Sequence, residues 1–533
     1  MSIVYLKNKK SGVTYVYESE GYWDKEKQQS RSRRKCIGKL DPVTGELIPS
    51  KKYLAEKELE AFKKRPGPIS VAESNRFFYG ATYLFNVIGE QLGVTHDLRQ
   101  CFPDTYKKIL SVAYYLILED RNSLSRFPKW GRTHVHPYGR DLPSQRSSEL
   151  FSSIREDAKQ KFFQAQSSRR LETEYLAYDI TSVSSYSKLM KQVKWGRNKE
   201  NEPLPQINLA LVYGQESRLP VYYRKLPGNI TDVATVQKML KDIDFLKKDK
   251  VHLVMDRGFY SETNVNALYK KHYKFLMAIK TKISFVQKVL DSVRENMLSR
   301  SCYSSKYGLN YYSQIIPWLY TEAKKRSGEV TTSTKRFYLH LYYSDQRAVD
   351  DKIAFNTLLD ELEEELLSDE RKPSHESLYD KYYEVKRTAK RGIKITPKQK
   401  AIDEARKNYG YFALGSNDIK DPLEALQIYR SKDIIEKAFG NLKERLNLRR
   451  TSVSSEENLD GKLFIQFVAL IYIAHIDKVM REKNLYKDYT LQGLLDELDI
   501  IERYEQPGKK HHIGEMTKRQ LSIYQSFGIK PPS

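Results

Sequence analysis

Four residues in the last quarter of the chain have side chains that could do chemistry together. Tyr429, Lys432, Glu436 and Lys443 are separated by three, four and seven residues. At 3.6 residues per turn, these steps return to one face of an α-helix. One carboxylate among two ammonium groups and a phenol suggests a metal site set against phosphates. We therefore predict that Glu436 binds metal and that the other three contact DNA phosphates.

The surrounding segment has the features of a helix that docks on a core. Its adjoining face carries an apolar stripe: Ile428, Ile435, Ala438, Leu442 and Leu446. Asp421, Pro422 and Glu424 fit the N-cap, N1 and N3 positions of a helix start. We therefore predict a continuous helix from Asp421 through Lys443.

Two aspartates upstream each close an apolar run that is typical of a β-strand. Asp179 ends the run 175–179 and Asp256 ends the run 251–256. Two further strands, 207–213 and 219–223, are expected between them. A helix at 262–271 and a fifth strand at 275–279 are expected after them. A helix capped by Thr231 or Asp232 precedes the second aspartate. Both aspartates are thus candidate catalytic groups, and the adjacent Arg257 could either contact a DNA phosphate or pair with a carboxylate.

The resulting order, β-β-β-α-β-α-β and then a late helix, predicts an α/β fold with an RNase H-like core. That core is a mixed five-stranded sheet with helices, in which the first and fourth strands are neighbours. Asp179 and Asp256 can therefore converge, and the late helix adds Glu436. Three carboxylates suit Mg²⁺, which prefers oxygen ligands. Two such ions, which Mn²⁺ could replace, can activate a water or a 3′-hydroxyl for in-line displacement.

Composition indicates a polyanionic partner. The chain has 533 residues, a net charge of +24 and a pI of about 9.4. Three scattered cysteines favour a reducing cytoplasm. The longest apolar stretch, 463–476, is shorter than the roughly 20 residues that span a bilayer. It predicts a buried helix, and we expect no membrane association.

A chain of this length exceeds one compact core, so we expect several regions. The predicted linker Arg65–Pro68 separates the first two. The expected regions are a β-rich basic N-terminal module (1–66), a helical DNA-end-binding region (67–168), the first part of the core (169–282), an insertion (283–405), the second part of the core with the Glu436 helix (406–480) and a C-terminal helical tail (481–533).

These motifs resemble the DDE transposases of bacterial insertion sequences. Residues 178–182 and 255–261 resemble the first and second catalytic motifs, and 225–229 resembles the third-strand exit. The late helix resembles the family branch with Tyr, two residues, Arg, three residues, Glu, six residues, Lys. Lys432 replaces the arginine, which keeps the charge but loses a planar, two-pronged phosphate contact.

The resemblance implies Asp179, Asp256 and Glu436 as a catalytic, metal-binding triad. It also implies cleavage of double-stranded DNA at the terminal inverted repeats of an element and strand transfer into target DNA. A homodimer in a synaptic complex, located in the bacterial cytoplasm at the nucleoid, is expected. Two alternatives stay open: an RNase H-like nuclease that cuts branched DNA without joining it, and a catalytically silent DNA-binding protein derived from a transposase.

Overall fold

The chain forms two compact units in a computed structural model. One comprises Met1–Phe77, Glu502–Glu515 and Ser533, and the other comprises Phe78–Ile501 and Met516–Pro532. The structure describes residues 2–24, 27–42, 44–63, 75–119, 123–170, 174–187, 189–245, 251–323, 330–388, 392–451, 453 and 455–533. The predicted linker Arg65–Pro68 lies outside these residues.

The first unit is built on an antiparallel sheet with the order β1-β2-β3-β4. Its elements are β1 (Ser2–Lys7), β2 (Thr14–Asp24), β3 (Gln29–Leu40), β4 (Leu47–Pro49) and helix α1 (Lys51–Lys63). These strands lie in the region that was expected to be β-rich. A second sheet of this unit joins β5 (Asn75–Phe78) to strands from the C-terminal end of the chain. The tail 481–533, which was predicted to be helical, therefore contains strands as well.

Within the described residues, six α-helices of the second unit precede the central sheet, in the region that was expected to be helical. They are α2 (Gly80–Gln91), α3 (Val94–Cys101), α4 (Tyr106–Leu118), α5 (Phe127–Thr133), α6 (Ser144–Ser153) and α7 (Glu156–Ser168). Helix α4 is buried along most of its length, from Ile109 through Leu118. Helices α4 and α6 pack on the later helix Glu456–Glu482, so these helices share a core with the C-terminal part of the unit.

The central sheet has ten strands within the described part of the chain. They are β6 (Tyr175–Ser185), β7 (Gln206–Gly214), β8 (Pro220–Pro227), β9 (His252–Met255), β10 (Lys274–Ile279), β11 (Tyr303–Ser304), β12 (Leu309–Ala323), β13 (Val330–Tyr343), β16 (Tyr411–Ser416) and β17 (Arg450–Thr451). A separate hairpin pairs β14 (Tyr383–Thr388) with β15 (Gly392–Pro397). Strands β18 (Glu502–Glu505) and β19 (His512–Ile513) belong to the sheet of β5. The order is β11-β12-β13-β16-β10-β9-β6-β7-β8, with β17 beside β6.

Five of these strands have the arrangement expected of an RNase H-like core. Strands β6, β7 and β8 form an antiparallel meander, and β9 and β10 lie parallel to β6. The prediction of only five strands was wrong, because β16 pairs with the free edge of β10 and β13 and β12 follow it. An unpaired edge exposes backbone hydrogen-bonding groups, and this extension satisfies those of β10. Part of the predicted insertion therefore belongs to the same sheet.

Eleven α-helices follow α7 within the described residues. They are α8 (Asp232–Phe245), α9 (Glu262–Lys270), α10 (Ser284–Met297), α11 (Asp345–Leu367), α12 (Glu376–Tyr382), α13 (Gln399–Arg406), α14 (Pro422–Arg430), α15 (Asp433–Gly440), α16 (Glu456–Glu482), α17 (Leu491–Asp499) and α18 (Lys518–Ser526). By length and composition α16 could cross a membrane, but 78% of its most apolar window is buried inside the protein. That burial is typical of a core helix and agrees with the prediction for 463–476.

The predicted late helix is broken. Asp421 accepts hydrogen bonds from the amides of Leu423 and Glu424, as predicted for an N-cap. Helix α14 nevertheless ends at Arg430, and a turn through Lys432 leads into α15. At this turn the amide of Lys432 bonds the carbonyl of Tyr429, three residues back, instead of four. A π-helical turn then spans Asn441–Arg445. Neither break contains proline, and the apolar spacing does not change at either one, so the sequence did not indicate them.

Candidate active site

The sheet brings the two predicted aspartates together. Tyr178 of β6 pairs with Met255 of the parallel strand β9. Asp179 follows Tyr178 within β6, and Asp256 is the first residue after β9, so the two aspartates lie next to each other at this end of the strand pair. Neighbouring strands are about 4.8 Å apart. Asp179 lies within β6, which continues to Ser185, and not at the strand end that the sequence predicted.

Hydrogen bonds hold the Asp256 carboxylate in place. Its Oδ1 accepts from the amide of Arg257 at 2.7 Å and from the hydroxyl of Tyr429 at 2.8 Å. Burial favours the neutral acid, but these donors and the nearby charge of Lys432 outweigh it and hold the pKa of Asp256 below its ordinary value. Burial, followed by the charge of Asp256, raises the pKa of Tyr429, so its hydroxyl stays protonated. Asp256 is thus an ionised, oriented carboxylate at neutral pH.

Two ammonium groups flank Asp179. The Nζ of Lys199, from the loop between β6 and β7, lies 3.6 Å from Oδ1. The Nζ of Lys432 lies 3.6 Å from Oδ2. Oδ1 also accepts the amide of Ile180 at 2.8 Å. The carboxylate is mostly shielded, with 13% of the side chain exposed. Its negative charge is therefore balanced by cations from two separate segments.

The break between α14 and α15 places their side chains over different strands. Helix α14 packs on β9 and β10, and α15 packs on β6 and β7. Tyr429 consequently reaches Asp256, while Lys432, only 6% exposed, reaches Asp179. Lys432 Nζ also lies 3.4 Å from Oε1 of Glu436, whose side chain is 61% exposed. Glu436 is therefore joined to the aspartate pair through the Lys432 ammonium.

The remaining predicted contacts are distributed around this centre. Lys443 lies in the π-helical turn and pairs with Glu200. Arg257 is exposed immediately after Asp256. Of the four residues predicted to contact DNA, Tyr429, Lys432 and Lys443 thus bond carboxylates in this structure, whereas the Arg257 side chain faces solvent. Their contact with DNA stays a prediction.

Sequence reasoning missed two charged groups at this site. Asp232, the first residue of α8, was considered only as a helix cap. Its Oδ2 lies 3.0 Å from where a Cβ on Gly258 would stand, so it lies against the turn that follows Asp256. Burial raises the pKa of Asp232. The charge of Lys199 opposes this shift, and the charges of Asp179 and Asp256 add to it. Lys199 gave no sequence signal, because a lone loop lysine has no periodicity.

The donor set fits a divalent cation at the aspartate pair. Asp179 and Asp256 supply adjacent carboxylate oxygens, and Asp256 is held ionised. Among the described residues, no three histidine, cysteine or acidic side chains are close enough together to hold a metal ion. Glu436 would complete such a set by leaving Lys432, and its exposure allows that change of rotamer.

Residues 170–472, more than half of the chain, match the family model described as "Transposase DDE domain". The chain belongs to this DDE transposase family. The match begins just before β6 and ends within α16, so it includes both aspartates and the Glu436 segment. Membership assigns the protein to DNA transposition in general, in a family that generally uses divalent metals.

Solved structures of transposases match the chain at low sequence identity. A piggyBac transposase synaptic complex with hairpin DNA is 13% identical, with 83% of this chain and 74% of that chain covered and a TM-score of 0.35. Two Mos1 paired-end complexes, one with the left transposon end and one with Mn, are each 14% identical. In both, 44% of this chain and 69% of that chain are covered, with a TM-score of 0.15. No curated protein matches the chain. The family assignment therefore depends on the family match and the strand order.

Proposed function

We propose that this DDE transposase cuts DNA at the ends of its insertion sequence and joins those ends to target DNA. The observation that supports this most directly is the pairing of Tyr178 with Met255, which makes Asp179 and Asp256 neighbours inside the family match. The segment 421–446 brings Glu436 to the same place, with one lysine between it and Asp179. Three carboxylates with nearby cations suit phosphoryl transfer better than binding alone.

In this proposal Asp179 and Asp256 hold the divalent cations and Glu436 completes the set. Mg²⁺ is the expected ion, in a pair that Mn²⁺ could replace, and it would polarise the scissile phosphate and activate the attacking oxygen. Tyr429 fixes the orientation of Asp256 through its hydrogen bond. Lys199 and Lys432 flank Asp179 and, once Glu436 moves, Lys432 can contact phosphate. Lys432 has the positive charge that a phosphate contact needs, although it lacks the two-pronged guanidinium group of an arginine.

Recognition of the terminal inverted repeats is proposed for the regions before the core, within a homodimeric synaptic complex. The supporting feature in the first unit is strand β3, on which the residues Arg31, Arg33, Arg34 and Lys35 are all exposed. Basic side chains on an exposed strand can neutralise DNA phosphates. Removing several of these charges should weaken end binding without changing the cleavage chemistry of the DNA that is bound.

The decisive experiment is cleavage of labelled DNA that carries the two ends of the element. Wild type, Asp179→Asn and Glu436→Gln would be compared in Mg²⁺, Mn²⁺ and EDTA. Glu444→Gln is a matched control, because Glu444 lies on the same segment and pairs only with Arg449 outside the site. We expect metal-dependent cleavage by wild type and Glu444→Gln, and loss of cleavage with DNA binding retained in the other two.

The products separate this proposal from the two alternatives. Joined products would identify strand transfer, whereas cuts at branched DNA without joining would identify a nuclease. Binding to element ends without cleavage in any metal would identify a silent DNA-binding protein. Full cleavage by Glu436→Gln would refute the assignment of the third carboxylate.

A further inference from the structure

Residues 344–410 form a small helical subdomain that leaves the sheet beside the candidate active site. It starts after β13 and ends before β16, which pair at Tyr343 and Tyr411. Strand β16 is antiparallel to β10, and its residue Ala413 pairs with Ile279 at the C-terminal end of β10. Since β10 is parallel to β9, Asp256 lies at this same end of the strands. The subdomain is therefore attached at the end of the sheet that carries the aspartates.

The β14–β15 hairpin of this subdomain has two chemically different faces. Tyr383, Val385 and Ile395 face inward and pack on helices α11, α12 and α13. The alternate residues face outward and are exposed, namely Glu384, Lys386, Lys394 and Thr396. Packing accounts for the inner face but not for the composition of the outer one.

The outer face has an unfavourable pairing of like charges. Lys386 and Lys394 are directly opposite each other across the two strands. Such a like-charge pair destabilises a hairpin. Lys386 has one exposed carboxylate nearby, Glu384 at 3.1 Å. In the part of the chain that the structure describes, no carboxylate forms an ion pair with Lys394. An arrangement that costs stability in isolation indicates a polyanionic partner.

Further exposed lysines flank this pair, and none of them is offset by a carboxylate in the described hairpin. Lys381 precedes β14, and Lys398 and Lys400 follow β15. Lys398 donates to the main-chain carbonyl of Asp380, which leaves its charge unneutralised. Helix α11 carries eight acidic residues, and α12 and α13 carry Glu376, Asp380, Asp403 and Glu404. On the outer face of the hairpin itself, positive charge exceeds negative charge. We define the hairpin surface as Lys386 and Lys394 together with the lysines at the ends of the two strands (Lys381, Lys398 and Lys400).

We propose that the hairpin surface binds the phosphate backbone of duplex DNA without reading its sequence. This rests on the proposed function, because the DNA is the substrate held at the neighbouring aspartates. Lysine ammonium groups act as point charges, and the described outward-facing residues of the hairpin include no asparagine, glutamine or arginine that could read base edges in two-pronged fashion. Phosphate contacts of this kind position a duplex and give no sequence information.

The test compares two double variants that each remove two positive charges from exposed lysines. Lys386→Gln with Lys394→Gln alters the hairpin surface. Lys352→Gln with Lys483→Gln is the matched control, on α11 and at the end of α16. Affinity would be measured from 50 to 300 mM salt for a duplex with the element end and for a scrambled duplex of equal length. Circular dichroism and light scattering would report folding and oligomeric state.

Loss of two phosphate contacts should lower affinity for both duplexes alike, by roughly 10- to 30-fold near 0.15 M salt, and reduce the slope of log K against log salt by about 1.8. The control pair should change affinity less than about threefold. An unchanged slope in the hairpin variant, or an equal loss in the control, would overturn the proposal. So would a loss confined to the element end, since that indicates sequence reading.

A change of oligomeric state with unchanged DNA affinity would also overturn it, because the hairpin surface would then bind a second copy of the chain. Failure of the proposed function gives a different result: wild type would bind DNA and never cleave it, whatever the hairpin variant does. Failure of the hairpin proposal alone would leave cleavage intact together with an unchanged salt slope.

Discussion

Replacing Tyr429 by phenylalanine removes one hydrogen bond from the candidate site while keeping the ring. The Tyr429 hydroxyl donates to Asp256 at 2.8 Å, and the amide of Arg257 supplies the other bond at 2.7 Å. A hydrogen bond to a charged group contributes about 1.5–3 kcal/mol. If that energy holds the carboxylate in its catalytic orientation, cleavage should fall roughly 10- to 150-fold.

The charge of Asp256 should not change at neutral pH. Its pKa is held below the ordinary value, and the variant lets this pKa rise. A carboxyl group with a lowered pKa contributes stability above its unfolded pKa and loses that contribution as pH falls through the folded pKa. The variant should thus differ in stability only above that acid range. Single-turnover cleavage of labelled element-end DNA at pH 7 and pH 8 should show the same loss, which would report orientation.

Tyr342→Phe is the control, because it also removes a buried phenol hydroxyl next to α14. Tyr342 donates to the carbonyl of Pro422 at 2.6 Å and bonds no carboxylate of the site. We expect a modest loss of thermal stability and cleavage within about threefold of wild type. Wild-type cleavage by Tyr429→Phe, or an equal loss in Tyr342→Phe, would show that the Asp256 bond does not orient the carboxylate.

Three further results are expected. Lys432→Met should reduce cleavage more than Lys432→Arg, because only arginine keeps a cation beside the aspartates; equal activities would contradict this. Gly461→Ala should lower the unfolding free energy by about 1–3 kcal/mol, since its Cβ would lie 2.2 Å from the carbonyl oxygen of Phe151, whereas Gly440→Ala, with open space around it, should add about 0.5–1 kcal/mol. Burial lowers the pKa of His136, His340 and His475 to about 4, so the unfolded chain binds more protons than the folded chain below pH 6.5. Thermal stability should therefore fall from pH 6.5 towards pH 4, and a flat profile would refute this.

The strands and the aspartates could be predicted from local pattern. Apolar runs of four to seven residues predicted β6 to β10, because a strand buried on both faces reads as a continuous apolar run. The spacing of Tyr429, Lys432, Glu436 and Lys443 indicated a site on a late helix. The N-cap at Asp421 was equally local, since it depends on a side chain bonding amides two and three residues ahead.

The extension of the sheet could not be predicted in this way. Strand β13 lies within 283–405, the segment that was expected to be an insertion. Which edge it joins depends on pairing with β16, some 70 residues later. Periodicity shows that a residue is buried but does not show against what. The same limit applies to Asp232, whose place beside the turn at Gly258 comes from the packing of α8.

The sequence by itself determined the candidate residues for the chemistry: two carboxylates at neighbouring strands of the core, a third on a late helical segment, and a strongly basic chain around them. Only the tertiary structure decided how they meet. It broke the late helix at Lys432, placed Tyr429 on Asp256 across 173 residues, and set lysines from two segments against Asp179. Secondary structure follows from contacts between near neighbours in sequence, whereas these contacts form only when distant segments pack on one sheet and enclose the charges together.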